Sequence, residues 1–261
     1  MNALDDLLQI MRKLRDKESG CPWDREQTYA SLVPHTLEEA YEVAETIEEN
    51  QLDKLPDELG DLLFQVVFYS QIASEEQRFT LDTVISHICD KLTRRHPHVF
   101  GEEKIETAEE QTLAWEQHKK NERLKSATSM TGLLDGISLA LPALSRATKV
   151  QRRAARAGFD WPDYRGVVEK IHEELDEVKE VLVEKNQQRI EEELGDLLFS
   201  CVNLCRHLEI DGERALRKAT RKFEGRFRGI EGMLEIDNGK FNATPEEMEE
   251  AWQQSKQYEK E

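Results

Sequence analysis

Long apolar runs are missing from this 261-residue chain, cysteine is scarce, and basic residues are in the minority. Each absence excludes something. Without a stretch of about 20 consecutive apolar residues, no helix is expected to span a bilayer. The opening MNALDDLLQIMRKLRD reads as an amphipathic helix that carries acids, not as a signal peptide with an apolar centre and a cleavage site. Cys21, Cys89, Cys201 and Cys205 show no CxxC spacing. Cys201 and Cys205, one helical turn apart in an apolar run, are expected as buried thiols in a reducing cytoplasm. With 54 acidic against 36 basic residues the net charge is −18, so a phosphate backbone would be repelled and a nucleic-acid partner is not expected. Alternating β-branched residues are sustained nowhere, which leaves little room for sheet.

What the chain has instead is helical periodicity, written twice. Apolar residues recur at i, i+3 and i+4 in LDDLLQIMRKL, LPDELGDLLFQVVFYSQI and TVISHICDKL. Residues 36–69 align with 171–204 at a constant offset of 135 positions without a gap, so that ELGDLLF appears at 58–64 and again at 193–199. Further out, GCPWD (20–24) is similar to GFDW (158–161), and WEQHK (115–119) to WQQSK (252–256). Breakers fall where turns belong, at Gly20, Pro22, Asn50 and Pro97, then at Gly158, Pro162, Asn186 and Gly212. Small polar residues at 125–132 mark a boundary. The reading is all-α, with two tandem helical-bundle domains at 1–125 and 126–261.

The repeat carries acids in a fixed pattern. Glu39 and Glu42 share one helix face, as do Glu58 and Asp61. A short turn around Asn50 makes the two helices antiparallel neighbours and brings the four carboxylates to one seam. Glu174, Glu177, Glu193 and Asp196 repeat the arrangement. Four carboxylates so close either hold protons or share a cation. Oxygen ligands without histidine or cysteine suit Mg²⁺, with Mn²⁺ as a substitute, rather than zinc. A di-iron site would call for Glu-x-x-His on two helices, and here the fourth position is acidic. Gly60 and Gly195, in mid-helix, cost about 1 kcal/mol each relative to alanine unless close helix approach or ligand access requires them.

EEAYE…ELGD and EELDE…ELGD, with GCPWD, RRHPHVF (94–100) and GFDW, resemble the motifs of the MazG family of nucleoside triphosphate pyrophosphohydrolases. The resemblance covers essentially the whole chain. It implies an all-α NTP pyrophosphatase fold, a Mg²⁺-dependent site completed by homodimerisation, and cleavage of a nucleoside triphosphate between the α- and β-phosphates. On that resemblance the eight seam acids are metal ligands. Glu173 and Glu38, just before them, are placed to orient or deprotonate the attacking water.

Phosphate handling is expected from cations on the same faces: Lys170, Arg189, Lys222 and Arg226, with Lys54, Lys91 and Arg95 as first-half counterparts. His35 stands where Lys170 would be, so the second half is the better equipped. Trp252 either stacks on a base or packs its helix, as do Trp23 and Trp161. The basic run at 151–158 fits a solvated helix face, and His96 and His98 a helix stop. Two other readings stay open: a narrower pyrophosphatase for dUTP or another dNTP, and a non-catalytic, metal-stabilised interaction module.

Overall fold

A computed structural model of the chain describes residues 3–101, 107, 110, 132–237 and 239–258. Trp115 and the expected boundary segment up to residue 131 lie outside the described residues. The chain divides into two compact units, Met1–Asn121 and Glu122–Glu261.

In the first unit, helix α1 (Ala3–Leu14) leads to the short α2 (Pro22–Glu26). A long hairpin of α3 (Tyr29–Glu48) and α4 (Leu55–Glu75) follows, then α5 (Leu81–Arg95) and the four-residue α6 (Pro97–Phe100). Helix α3 starts on a reciprocal cap, where Ser31 N–H donates to the Thr28 hydroxyl and Thr28 N–H to that of Ser31. It ends at Asn50, whose φ of 56° is a left-handed conformation that asparagine tolerates. Cross-hairpin partners run in opposite directions, Thr36 with Tyr69 at 2.9 Å and Glu39 with Gln65 at 3.4 Å, so the hairpin is antiparallel. The core beneath it is Met11, Leu32, Val67, Phe68, Ile72 and Leu81.

The second unit repeats the plan with α7 (Ala143–Arg156), then the hairpin of α8 (Tyr164–Glu184) and α9 (Gln187–His207), then α10 (Gly212–Glu231). A two-residue ribbon pairs Ile236 with Phe241 and Asp237 with Lys240 before α11 (Pro245–Tyr258). That ribbon is the one departure from the helical expectation among the described residues. Lys185, at φ 55°, makes the hairpin turn, and the Asn186 side chain caps α9 by accepting from Gln188 and Arg189 N–H.

Both units tie the turn before the hairpin to its second helix through a shielded arginine. Arg15 grips Glu75 through Nε (2.9 Å) and Nη2 (2.7 Å), while Nη1 donates to the Asp24 carbonyl at 2.6 Å. In the second unit the roles are exchanged. Asp160 lies in the turn and accepts from both Nη atoms of Arg206 and from His207, while Arg206 Nε donates to Asn203. The tryptophans beside these turns pack: Trp23 edge-on to Phe68 and His35, Trp161 against Gly166, where a Cβ would lie 2.4 Å from its ring.

One expectation is corrected. Cys201 is exposed and Cys205 is only partly covered. Leu194, Leu198, Cys201 and Cys205 follow one another at i, i+4, i+7 and i+11, a stripe of α9 turned away from α7 and α8, and the two leucines are exposed with the thiol. An apolar run on a helix therefore did not imply burial within the chain.

The Asp160 clasp has a pH signature. Burial alone would raise this carboxyl, but bonds and charge from Arg206 and His207 hold it below its ordinary value. A depressed folded pKa adds stability above about pH 4 and loses it as pH falls through the folded value. Asp160→Asn should lower unfolding stability at pH 7 by about 1.5–3 kcal/mol. The gap from wild type should narrow as pH falls through the carboxylate range, as read by urea denaturation at several pH values.

Candidate metal centre

Each hairpin gathers carboxylates at its seam, as the spacing required. In the first unit Glu39, Glu58 and Asp61 bring oxygens within 4.8 Å of one another, and in the second Glu174, Glu177 and Glu193 do so. The two groups are not the same subset of the repeat. Glu42 lies beside Glu39 and feels the charge of Asp61, but stays outside the first group. Asp196 is exposed and outside the second. Between them the groups use all four repeat positions, which is what a seam of rotatable carboxylates gives when each side chain settles independently.

Electrostatics registers the crowding. Lost solvation, then the carboxylate of Glu39 and the charges of Glu38 and Asp61, raise Glu42 above its ordinary value. Glu177 is raised by its hydrogen bond to Glu174, by lost solvation and by the charges of Glu174 and Glu193, with Lys170 acting the other way. Carboxylates this close disfavour one another's charged forms. Glu174 is the deepest of the acids at 4% exposure. A buried carboxylate beside others is costly unless a positive charge accompanies it. Lys170 supplies one to Glu174; the donor set itself, carboxylate oxygens with no histidine or cysteine in either group, fits a hard divalent cation.

The glycines bear on access. A Cβ at Gly60 or Gly195 would meet open space, so close helix approach among the described residues does not account for them. Leu59 and Leu63, and Leu194 and Leu198, are exposed on the same helices; the seam borders an uncovered apolar face.

The expected phosphate-binding cations divide. Lys170 reaches the seam, with Nζ 2.8 Å from Glu173 and 2.9 Å from Glu174, and these bonds raise its ammonium well above its ordinary value. Arg189 turns instead to Glu184. Lys54 is exposed at the start of α4, with its carbonyl receiving Asp57 and Glu58 N–H. Lys91 is exposed and Arg95 half-buried on α5, as Lys222 and Arg226 are on α10. Glu38 is exposed with His35 at 3.6 Å, while Glu173 is bonded to Lys170. Trp252 is half-buried and engaged, with Phe223 at 5.4 Å, Arg226 at 5.5 Å and Lys256 at 5.7 Å from its ring. Its surroundings are those of a packing residue.

One participant escaped sequence reasoning. Gln65 is 5% exposed, donates to Glu39 at 3.4 Å, and its Oε1 is buried with no hydrogen-bond partner. The signal was present in DLLFQVVF, a lone amide in an apolar run one turn beyond Asp61.

A repeated helical hairpin with a carboxylate seam defines a class, that of all-α proteins whose antiparallel helices bring together acids able to hold a metal ion. The family model of the MazG nucleotide pyrophosphohydrolase domain matches twice, at residues 27–100 and 164–229, and the chain belongs to that family. The nucleoside triphosphate pyrophosphohydrolase of Escherichia coli strain K12 is 50% identical over 264 residues, covering 99% of each chain. The nucleoside triphosphate pyrophosphohydrolase/pyrophosphatase MazG of Thermotoga maritima is 47% identical over 253 residues, covering 97% of this chain and 95% of that one. A nucleoside triphosphate pyrophosphohydrolase of Mycobacterium tuberculosis is 38% identical over 158 residues, covering 60% of this chain and 46% of that one.

The crowded acids cost stability. Since ionising a carboxyl whose folded pKa is raised opposes folding as pH rises, Glu177→Gln should increase the melting temperature of metal-free protein at pH 7.5. The same change should shrink the further rise on adding Mg²⁺. Differential scanning calorimetry with and without the ion checks both directions.

Proposed function

We propose that this chain hydrolyses nucleoside triphosphates at the α–β phosphate bond, giving a nucleoside monophosphate and pyrophosphate, with Mg²⁺ held by the carboxylate seams. The observation that carries this is the convergence of three carboxylates at corresponding seams of both repeats. The names of the full-length relatives support the substrate class. Seams built only of hard oxygens favour Mg²⁺, with Mn²⁺ as a substitute. Glu39, Glu42, Glu58 and Asp61, and Glu174, Glu177, Glu193 and Asp196, are the residues that would hold it. When bound, the ion supplies positive charge against the polyphosphate and makes nearby water more acidic.

The chain's own groups do the rest. Glu173, and Glu38 in the first repeat, accept the proton of the attacking water. Lys170 holds phosphate oxygens from the edge of the seam, and Arg189, Lys222 and Arg226, with Lys54, Lys91 and Arg95, supply further positive charge along the path of the triphosphate. Water adds at phosphorus as the α–β bridge opens and pyrophosphate leaves, a reaction that needs positioning and charge more than covalent catalysis. Trp252 braces Arg226 rather than stacking on a base, consistent with its ring contacts.

The exposed stripes Leu59, Leu63 and Val66 on α4, and Leu194 and Leu198 on α9, favour a homodimer in which a second copy covers them. The two repeats, 1–125 and 126–261, are the functional halves. A reducing cytoplasm suits a chain of this charge with free cysteines.

Incubation with Mg²⁺ and a panel of NTPs and dNTPs should release monophosphate and pyrophosphate, resolved by anion-exchange chromatography; nucleoside diphosphate with orthophosphate would reject the bond assignment. Glu177→Ala should cost at least about 10²-fold in turnover, since several kcal/mol of charge stabilisation depends on the ion. Glu42→Ala should cost less, and the reverse order would move the main activity to the first repeat.

A further inference from the structure

The two seams differ in how their negative charge is answered. In the second repeat the answer is covalently attached: Lys170 Nζ lies 2.9 Å from Glu174 and 2.8 Å from Glu173. In the first repeat the corresponding position is His35, whose one acidic partner among the described residues is Glu38, at 3.6 Å. Among the described residues no lysine or arginine is paired with Glu39, Glu42, Glu58 or Asp61. The first seam has a neutral amide instead. Gln65 lies against Glu39, with a buried Oε1 that has no partner. The corresponding position of the second repeat is Ser200, a side chain too short to do the same.

An ammonium against a buried carboxylate competes directly with a divalent ion for the same oxygens, because the two charges repel across a few ångströms and each needs the same lone pairs. A buried amide oxygen beside carboxylates that no described lysine or arginine pairs acts in the opposite sense, since a hard cation can use it. We infer that the two seams load differently: the first takes up a divalent cation on its own, whereas the second carries Lys170 as an internal counter-ion and takes its divalent cation together with a polyphosphate, which draws the ammonium off Glu174. The inference rests on the seams being cation centres, and it concerns the order and affinity of loading. In the nucleotide-free protein the first repeat would hold a resident ion, and the second would be kept from committing one until substrate arrives.

Mn²⁺ binding to the full chain without nucleotide, counted by the electron paramagnetic resonance of the free ion, tests this. Two classes of site are expected, the tighter removed by Glu58→Gln and the weaker by Glu193→Gln. Lys170→Met should tighten the weaker class by about tenfold, and Lys170→Arg, which keeps the charge, should not. Addition of inorganic tripolyphosphate should tighten the weaker class in wild type but add little in Lys170→Met. Superimposable isotherms for wild type and Lys170→Met would overturn the counter-ion, as would a tight class that follows Glu193 rather than Glu58. If neither Glu58→Gln nor Glu193→Gln alters Mn²⁺ binding, the failure lies earlier, in the reading of the seams as cation centres.

Discussion

Like charges set the terms for this molecule. A helical hairpin that turns several carboxylates toward one seam is pushed apart by them, and the repulsion is strongest where burial removes water. The rest of each unit can be understood as the means of keeping that hairpin closed. Below the first seam, Val67, Phe68 and Ile72 of α4 bury against Met11 and Leu32, and burial of side chains this size contributes roughly 1.5–3 kcal/mol each. Arg15 then fastens the preceding turn to the far end of the same helix. In the second unit Val167, Val178 and Val181 of α8 and Val202 of α9 supply the apolar contacts, with Arg206 and Asp160 as the clasp.

The duplication keeps the acids and changes what surrounds them. The clasp is preserved as an interaction while the arginine moves from the turn after α1 in one unit to α9 in the other, where it meets an aspartate in the turn. Such an exchange keeps a shielded ion pair with several hydrogen bonds, which is the form in which a partly buried charge is tolerated. At the seams the exchange is less neutral. Replacing a lysine by a histidine and a serine by a glutamine changes net charge and donor set within the same helix–turn–helix plan. Two sites with one backbone plan can thus differ in chemistry by two side chains.

Much of this was legible in the chain before any coordinates. The helices follow from apolar spacing, the hairpins from Asn50 and Asn186, and the meeting of Glu39 with Glu58 from two helices joined by a short turn. Three things were not legible. Side-chain rotamers decide which three of four acids converge, and spacing does not encode rotamers; hence Asp61 joins one group and Glu177 the other. The burial of Cys201 was misjudged because apolar periodicity identifies a face that needs covering and not what covers it. Gln65 was passed over because a polar residue in an apolar run stands out only once the run is known to back a charged seam.

The uncovered stripe and the empty space around Gly60 and Gly195 belong together. A mid-helix glycine is unfavourable by about 1 kcal/mol relative to alanine, and among the described residues nothing approaches either position. Its neighbours Leu59, Leu63, Leu194 and Leu198 stay in solvent, which is equally unfavourable for an isolated chain. Both costs have the same remedy, a surface or ligand from beyond the described residues that fits where a side chain would obstruct. Since Glu58 and Asp61 flank one glycine, and Glu193 and Asp196 the other, whatever approaches there arrives beside the carboxylates. Among the described residues, the open face therefore lies on the same helical turns as the acids, and under the proposed function substrate binding and assembly would compete for, or share, the same few residues of α4 and α9.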